Sequence, residues 1–296
     1  MFDRSFGRRG AMFALALTLG AGSASAATLV SVEDRWFYAF AGGGGSSNRA
    51  PTFGANAQPD FDNRDGQFLV EFDTSGAFAV GQGASSYVVH SARVEVTVID
   101  GTFVYDGTYD GHASYFGGTD LDAGRPVELY GVGYRNGNGT TGTNLETVSF
   151  APPGPPATGV RNAYATDFLA GTDRDVSNNV AMGFDPTPFA VGTTALAPGD
   201  PVPGGTVYGF DFVLGADAIA YLQSRLDLGR VDLAITSLHD SSFGGAATYP
   251  AWATRENTAF SKPTLFLDVT VVPEPGTFAL VSAGLAGLAA IGGRRR

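Results

Sequence analysis

Ser91-Ala92-Arg93-Val94-Glu95-Val96-Thr97-Val98-Ile99 alternates between small or apolar residues and charged or polar ones. In an extended chain successive side chains point to opposite faces, so Ala92, Val94, Val96 and Val98 share one side and Arg93, Glu95 and Thr97 the other. One dry face and one wet face predict an antiparallel sheet packed on a core. Strand-like runs rich in β-branched and aromatic residues recur at 35–40, 67–72, 87–99, 127–134, 206–214, 230–238 and 264–272. Between them lie stretches of turn chemistry at 42–45, 135–142, 151–156 and 197–205. Residues 143–150 read as a further strand. The segment 157–205 is poor in strand-like runs, and the Pro-rich 151–156 is the one candidate for an internal linker. A single all-β domain, an antiparallel β-sandwich with long decorated loops, is favoured over two domains.

One helix is expected over 216–228, where Ile219, Leu222 and Leu226 recur at helical spacing and Gly229 supplies the stop. Its expected place is over an open end of the sandwich. No internal repeat of solenoid length is apparent.

Both ends of the chain carry addresses rather than fold. Arg4, Arg8 and Arg9 precede an apolar stretch at 11–19, and Ala24-Ser25-Ala26 forms an A-x-A site, so residues 1–26 read as a secretory signal peptide with Ala27 as the new terminus. Gly10-Ala11 does not supply the apolar residue that a twin-arginine signal would place after its pair, and general secretion is favoured. At the other end, Pro273-Glu274-Pro275 is followed by an uncharged run at 276–293 and by Arg294, Arg295 and Arg296. As a helix that run would reach about 27 Å, enough to span a thin bilayer. Its apolar residues cover every side of a helical wheel, which suits lipid better than a soluble amphipathic helix. The terminal arginines would hold its far end in the cytoplasm.

The order Pro-Glu-Pro, apolar helix, basic cluster resembles the PEP-CTERM sorting signal of Gram-negative bacteria. That resemblance implies an exosortase-type membrane transpeptidase as partner, transient anchoring in the inner membrane, and delivery to the cell surface or extracellular matrix. The same tail is also known under an ice-binding C-terminal label, which carries no implication of ice binding for the remainder. Residues 63–74, the later Ser91-Ala92-Arg93-Val94-Glu95-Val96 and the closing Lys262-Pro263-Thr264-Leu265-Phe266-Leu267 resemble DNRLRE-type jelly-roll domains. This implies a jelly-roll-like sandwich over 27–272 and a likeness to carbohydrate-binding modules.

Composition narrows the function. Residues 27–273 hold 27 of the 29 acidic and 12 of the 18 basic side chains, a net charge of −15. Such a domain repels nucleic acid and anionic headgroups. With no cysteine in the chain, thiol catalysis, disulfide exchange and thiolate-bound zinc are excluded.

Catalytic signatures are weak. Of the three histidines, His90 falls within a strand and reads as a hydrogen-bonded sheet residue. His239-Asp240-Ser241-Ser242 has the residue types of a catalytic triad, which needs them to converge from separate elements. Gly137-Asn138-Gly139-Thr140-Thr141-Gly142 fits a dinucleotide fingerprint only in letters, since no helix follows; it reads as a hairpin loop. Paired carboxylates abound (Asp106/Asp110, Asp120/Asp122, Asp173/Asp175), many beside glycines as turn formers. No cofactor is required by any motif. Asp60, Asp62 and Asp65, with Glu71 beyond, echo a calcium loop, although Arg64 and Asp65 depart from its pattern; the alternative is a solvated turn neutralised by Arg64.

Aromatics offer a route to sugar binding. Tyr109, Tyr115 and Phe116 on a Gly/Asp-rich loop, with Trp252, are candidate stacking platforms, Trp252 being equally a core plug. Trp36 and Phe40 are expected in the core, because alternate strand residues share a face. The reading is an exported, non-enzymatic surface or matrix protein associating with exopolysaccharide. A secreted carbohydrate-active enzyme using an Asp/Glu pair and a purely structural adhesin are the alternatives.

Overall fold

The computed structural model describes residues 23–40, 47–55, 60–115, 120, 122–139, 144–151, 159–241 and 248–272. Most of the expected signal peptide and the whole segment 273–296 lie outside them. Thirteen strands form two antiparallel sheets among these residues. The first sheet runs β1 (Ser23–Val30), β13 (Thr264–Val271), β6 (Tyr87–Asp100), β12 (Ala251–Ala253), β3 (Arg49–Pro51), with β10 (Val207–Asp211) also pairing β6. The second runs β2 (Glu33–Phe37), β5 (Arg64–Asp73), β11 (Arg230–Ser237), β7 (Val127–Tyr134), β8 (Ala163–Thr166); β4 (Phe53–Gly54) pairs β5, and β9 (Ala190–Val191) pairs β7.

The two sheets bury their apolar rows against each other. Val94, Val96, Val98, Leu265, Leu267 and Val269 come from the first sheet, and Phe68, Val70, Phe72, Leu129, Leu233 and Ile235 from the second. Burial of a row of branched and aromatic side chains, each contributing about 1.5–3 kcal/mol, holds this interface. The first sheet keeps the wet outer face that the alternation predicts: β13 is buried at every second residue along its length.

The second sheet does not. β5, β7 and β11 are buried almost continuously, because the long crossover after β7 folds back over their outer face. There Leu145, Val148, Ala163, Ala165 and Val176 meet Phe37, Leu69, Tyr130, Val132 and Ala234 in a second, smaller core. The crossover contributes β8, β9 and the one-turn helix α1 (Asn179–Met182), so the segment that looked poor in strands is a lid. The described part of the expected strand, residues 144–150, is not a strand: Asn144 accepts a hydrogen bond from Glu146 N at 3.0 Å and caps a 3-10 turn at Leu145–Thr147. Asn competes with the strand ladder through such local bonds. Strand β7 therefore pairs with β8, across a longer connection than a hairpin.

Helix α2 (Ala216–Asp227) touches β6 in one sheet and β11 in the other, closing an end of the sandwich as expected. Ala218, Tyr221, Leu222 and Leu226 face the core. The Tyr221 hydroxyl accepts from Val132 N at 2.8 Å and donates to Asp232 O. Strand β1 begins at Ser23, so its first four pairs, Ser23 to Ala26 against Val271 to Asp268, precede the expected cleavage point. Ala27 to Val30 pair with Leu267 to Thr264 beyond it. No helix among the described residues is long and apolar enough to cross a membrane.

Candidate functional site

The end of β2 places an aromatic ribbon at the surface. Trp36 and Tyr38 stack with centroids 5.1 Å apart. Tyr38 meets Phe40 edge-on at 5.6 Å and Phe53 at 5.0 Å. Phe40 continues to Phe61 at 5.8 Å, and Phe53 to Tyr249 at 4.9 Å. Beneath it, Gly66 in β5 has no side chain for a reason: a Cβ there would stand 2.7 Å from the Phe53 ring. The expected burial of Trp36 and Phe40 is thus only half met. Strand β2 ends at Phe37, which is the core residue, and alternation stops with it; Trp36 is half-buried and Phe40 is 63% exposed.

A second cluster occupies the loop after β6. One carboxylate oxygen from each of Asp106, Asp110 and Asp122 lies within 4.8 Å of the others. Arg125 bonds Asp110 Oδ2 at 3.1 Å and also pairs with Asp120. Burial raises the pKa of Asp106 and Asp110, while hydrogen bonds from Thr108 lead in holding Asp122 below the usual range. The candidate platform residues flank this loop. Tyr109 is 37% exposed, but the Tyr115 ring lies under the Arg125 guanidinium, 4.4 Å from its centroid. Phe116 lies outside the described residues. Trp252 is a core plug: it is wholly buried in β12, with its indole donating to Thr52 Oγ1 at 3.0 Å.

The calcium-loop candidates are already engaged. Asp62 accepts from Arg161 Nε at 2.5 Å, Gly159 N at 2.9 Å and Asn178, and Asp65 stands 3.5 Å from Arg161 Nη2, both beneath the lid. Asp60 is exposed and joins neither. Arg64, expected to neutralise this turn, instead enters the lid's polar layer. It pairs with Glu128 and reaches Thr236 Oγ1 at 3.0 Å and Asn179 Oδ1 at 3.1 Å.

Carboxylates also meet across the second sheet. Glu71 on β5 stands opposite Asp232 on β11 and Glu33 on β2. Burial first, then the charge of Asp232, raises the Glu71 carboxyl to about 8, so it keeps its proton and shares a hydrogen bond with Asp232. Tyr134 donates to Asp232 Oδ2 at 3.1 Å. This pair could hold and release a proton, yet Asp232 is fully buried.

The histidines do not assemble a triad. His90 Nε2 meets Thr270 Oγ1 at 2.8 Å across β6 and β13, and His112 Nδ1 meets Asp185 at 3.1 Å. His239 is buried against Phe103 with neither ring nitrogen hydrogen-bonded, and burial drives its pKa to about 3. Ser242 lies outside the described residues. Gly137 and Gly139 belong to the turn after β7, but the segment does not close the expected hairpin: a 3-10 turn at Leu145–Thr147 comes next, and β7 pairs with the later β8.

Fold and surface together define an antiparallel β-sandwich with a partly buried aromatic ribbon that opens to solvent at Phe40. Residues 271–296 match the family model of the PEP-CTERM protein-sorting motif. The chain is therefore an exported protein that transits the membrane and is sorted by an exosortase-type system through this C-terminal segment. No curated protein matches the chain.

Proposed function

We propose that the mature protein is a non-enzymatic surface or matrix protein that binds a neutral extracellular polysaccharide along the Trp36, Tyr38, Phe40, Phe61 and Tyr249 ribbon. The observation that carries this reading is the continuous run of rings ending in a largely exposed Phe40. A contiguous exposed apolar patch on a monomer marks a binding surface, and sugar rings present apolar faces to aromatic ones. The net charge of −15 over 27–273 disfavours acidic glycans and directs the choice to neutral ones. The resemblance to carbohydrate-binding jelly rolls agrees with it.

Carbohydrate-active enzymes of the Asp/Glu type hold their carboxyls about 5 Å or about 6.5–9.5 Å apart across a cleft. Glu71 and Asp232 share a hydrogen bond within a sheet face instead, which suits a proton-sharing structural pair. Removal of residues 1–26 leaves Ala27 to Val30 paired with Leu267 to Thr264 on β13.

Affinity electrophoresis of the full chain in detergent, through gels cast with a neutral β-glucan or the host's own exopolysaccharide, tests the binding. Phe40→Ala and Tyr38→Ala are expected to weaken retardation by about threefold to tenfold. Unchanged retardation in both variants, or none in the wild type, sinks the reading. Intact mass of the surface-exposed protein should begin at Ala27 and lack the arginine terminus.

A further inference from the structure

We infer that Asp106, Asp110 and Asp122 form a calcium site in the loop after β6. Three carboxylate oxygens lie within 4.8 Å of one another. Calcium takes oxygen ligands at about 2.3–2.6 Å, so ligands on opposite sides of one ion stand about 4.6–5.2 Å apart. The spacing fits a single ion of that size.

Acidic groups gather on many surfaces without a metal, and here the second observation is Asp106. It is only 2% exposed, and its Oδ2 is enclosed without any hydrogen-bond partner. A buried carboxylate oxygen left unpaired keeps its full desolvation penalty, so something must answer its charge. The Thr108 hydroxyl does not. It stands 2.7 Å from Asp106 Oδ1 and 2.5 Å from Asp122 Oδ2, yet it has one proton and can donate to only one of them. The other short oxygen contact requires a proton on a carboxyl or a shared cation. Arg125 makes its ion pairs with Asp110 and Asp120 and lends Asp122 only a longer-range pull. Hard oxygen donors on a loop of an exported chain select Ca²⁺ over softer ions.

Calorimetric titration of CaCl₂ into the EGTA-stripped full chain in detergent tests the site against plain protonation of Asp106. Wild type is expected to bind one ion and to gain several degrees in thermal midpoint. Asp122→Asn, on an exposed residue whose loss should not unfold the chain, is expected to bind about tenfold more weakly or not at all. Asp60→Asn, in the other acidic loop, is expected to bind as wild type does. Absence of binding in the wild type, equal binding in Asp122→Asn, loss confined to Asp60→Asn, or Mg²⁺ binding as tight as Ca²⁺ would each overturn the assignment.

Discussion

Arg64 is nearly fully buried, yet its guanidinium is answered on several sides, by Glu128, Thr236 and Asn179, with the Tyr130 ring 5.3 Å away. Burying an ion pair is expensive, and removing one member strands the other charge. Arg64→Ala is expected to destabilise the fold by about 3–5 kcal/mol in urea denaturation. Arg64→Met combined with Glu128→Leu should lose clearly less, because no charge is then left alone. None of this could be read along the chain. Arg64 and Glu128 stand in separate strands that meet only through β11, whose Thr236 pairs with Glu128 in register, and the Asn179 that also answers Arg64 comes from the lid. The same limit applies to Trp252, whose burial follows from β12 lying between β6 and β3, and to Phe40, which alternation assigns to the core only if β2 is carried past Phe37.

Long strands with two-residue periodicity declare themselves. β5, β6, β7, β11 and β13 fall where alternation or branched runs put them, and α2 ends at the glycine that stops it. Most of the pieces that escaped are short: β4 and β9 have two residues each, β3 and β12 three and β8 four, whereas the eight-residue β1 is hidden because its first half reads as the end of a signal peptide. The short ones have no period to detect, and they exist because longer neighbours offer them an edge. Docking of α2 depends on such a neighbour. A Cβ at Gly131 in β7 would stand 2.5 Å from the Tyr221 ring, whose hydroxyl is tied to Val132 and Asp232. The ring has no free direction in which to yield, so the helix must lift. Gly131→Ala should therefore cost about 1–3 kcal/mol and alter the near-ultraviolet dichroism of the tyrosines, while a change at exposed Val213 should do neither.

For the molecule as a whole, acidity outside and buried acids inside give opposite responses to pH. Burial, against the pull of Arg255, raises Asp34 from 3.8 to about 7; burial does the same to Asp65 against Arg161, and burial with Asp232 raises Glu71 from 4.5 to about 8. Unfolded, these carboxyls release their protons near pH 4; folded, they keep them to about pH 7 or 8. The folded chain thus binds more protons across that window, and stability falls as pH rises through it, with the loss complete above about pH 8. Asp122 and Asp185 act in the other direction. Hydrogen bonds from Thr108 and from His112, respectively, hold them below 3.8, so protonating them removes stability below about pH 4. A maximum near pH 4 follows, with the thermal midpoint several degrees lower at pH 8.5 than at pH 5.5. The measurement belongs in EGTA, so that cation binding at the Asp106 loop does not add its own pH dependence. Glu71→Gln, which keeps a neutral hydrogen-bonding group beside Asp232, should flatten the slope between pH 6 and 8; an unchanged slope would place the alkaline loss elsewhere.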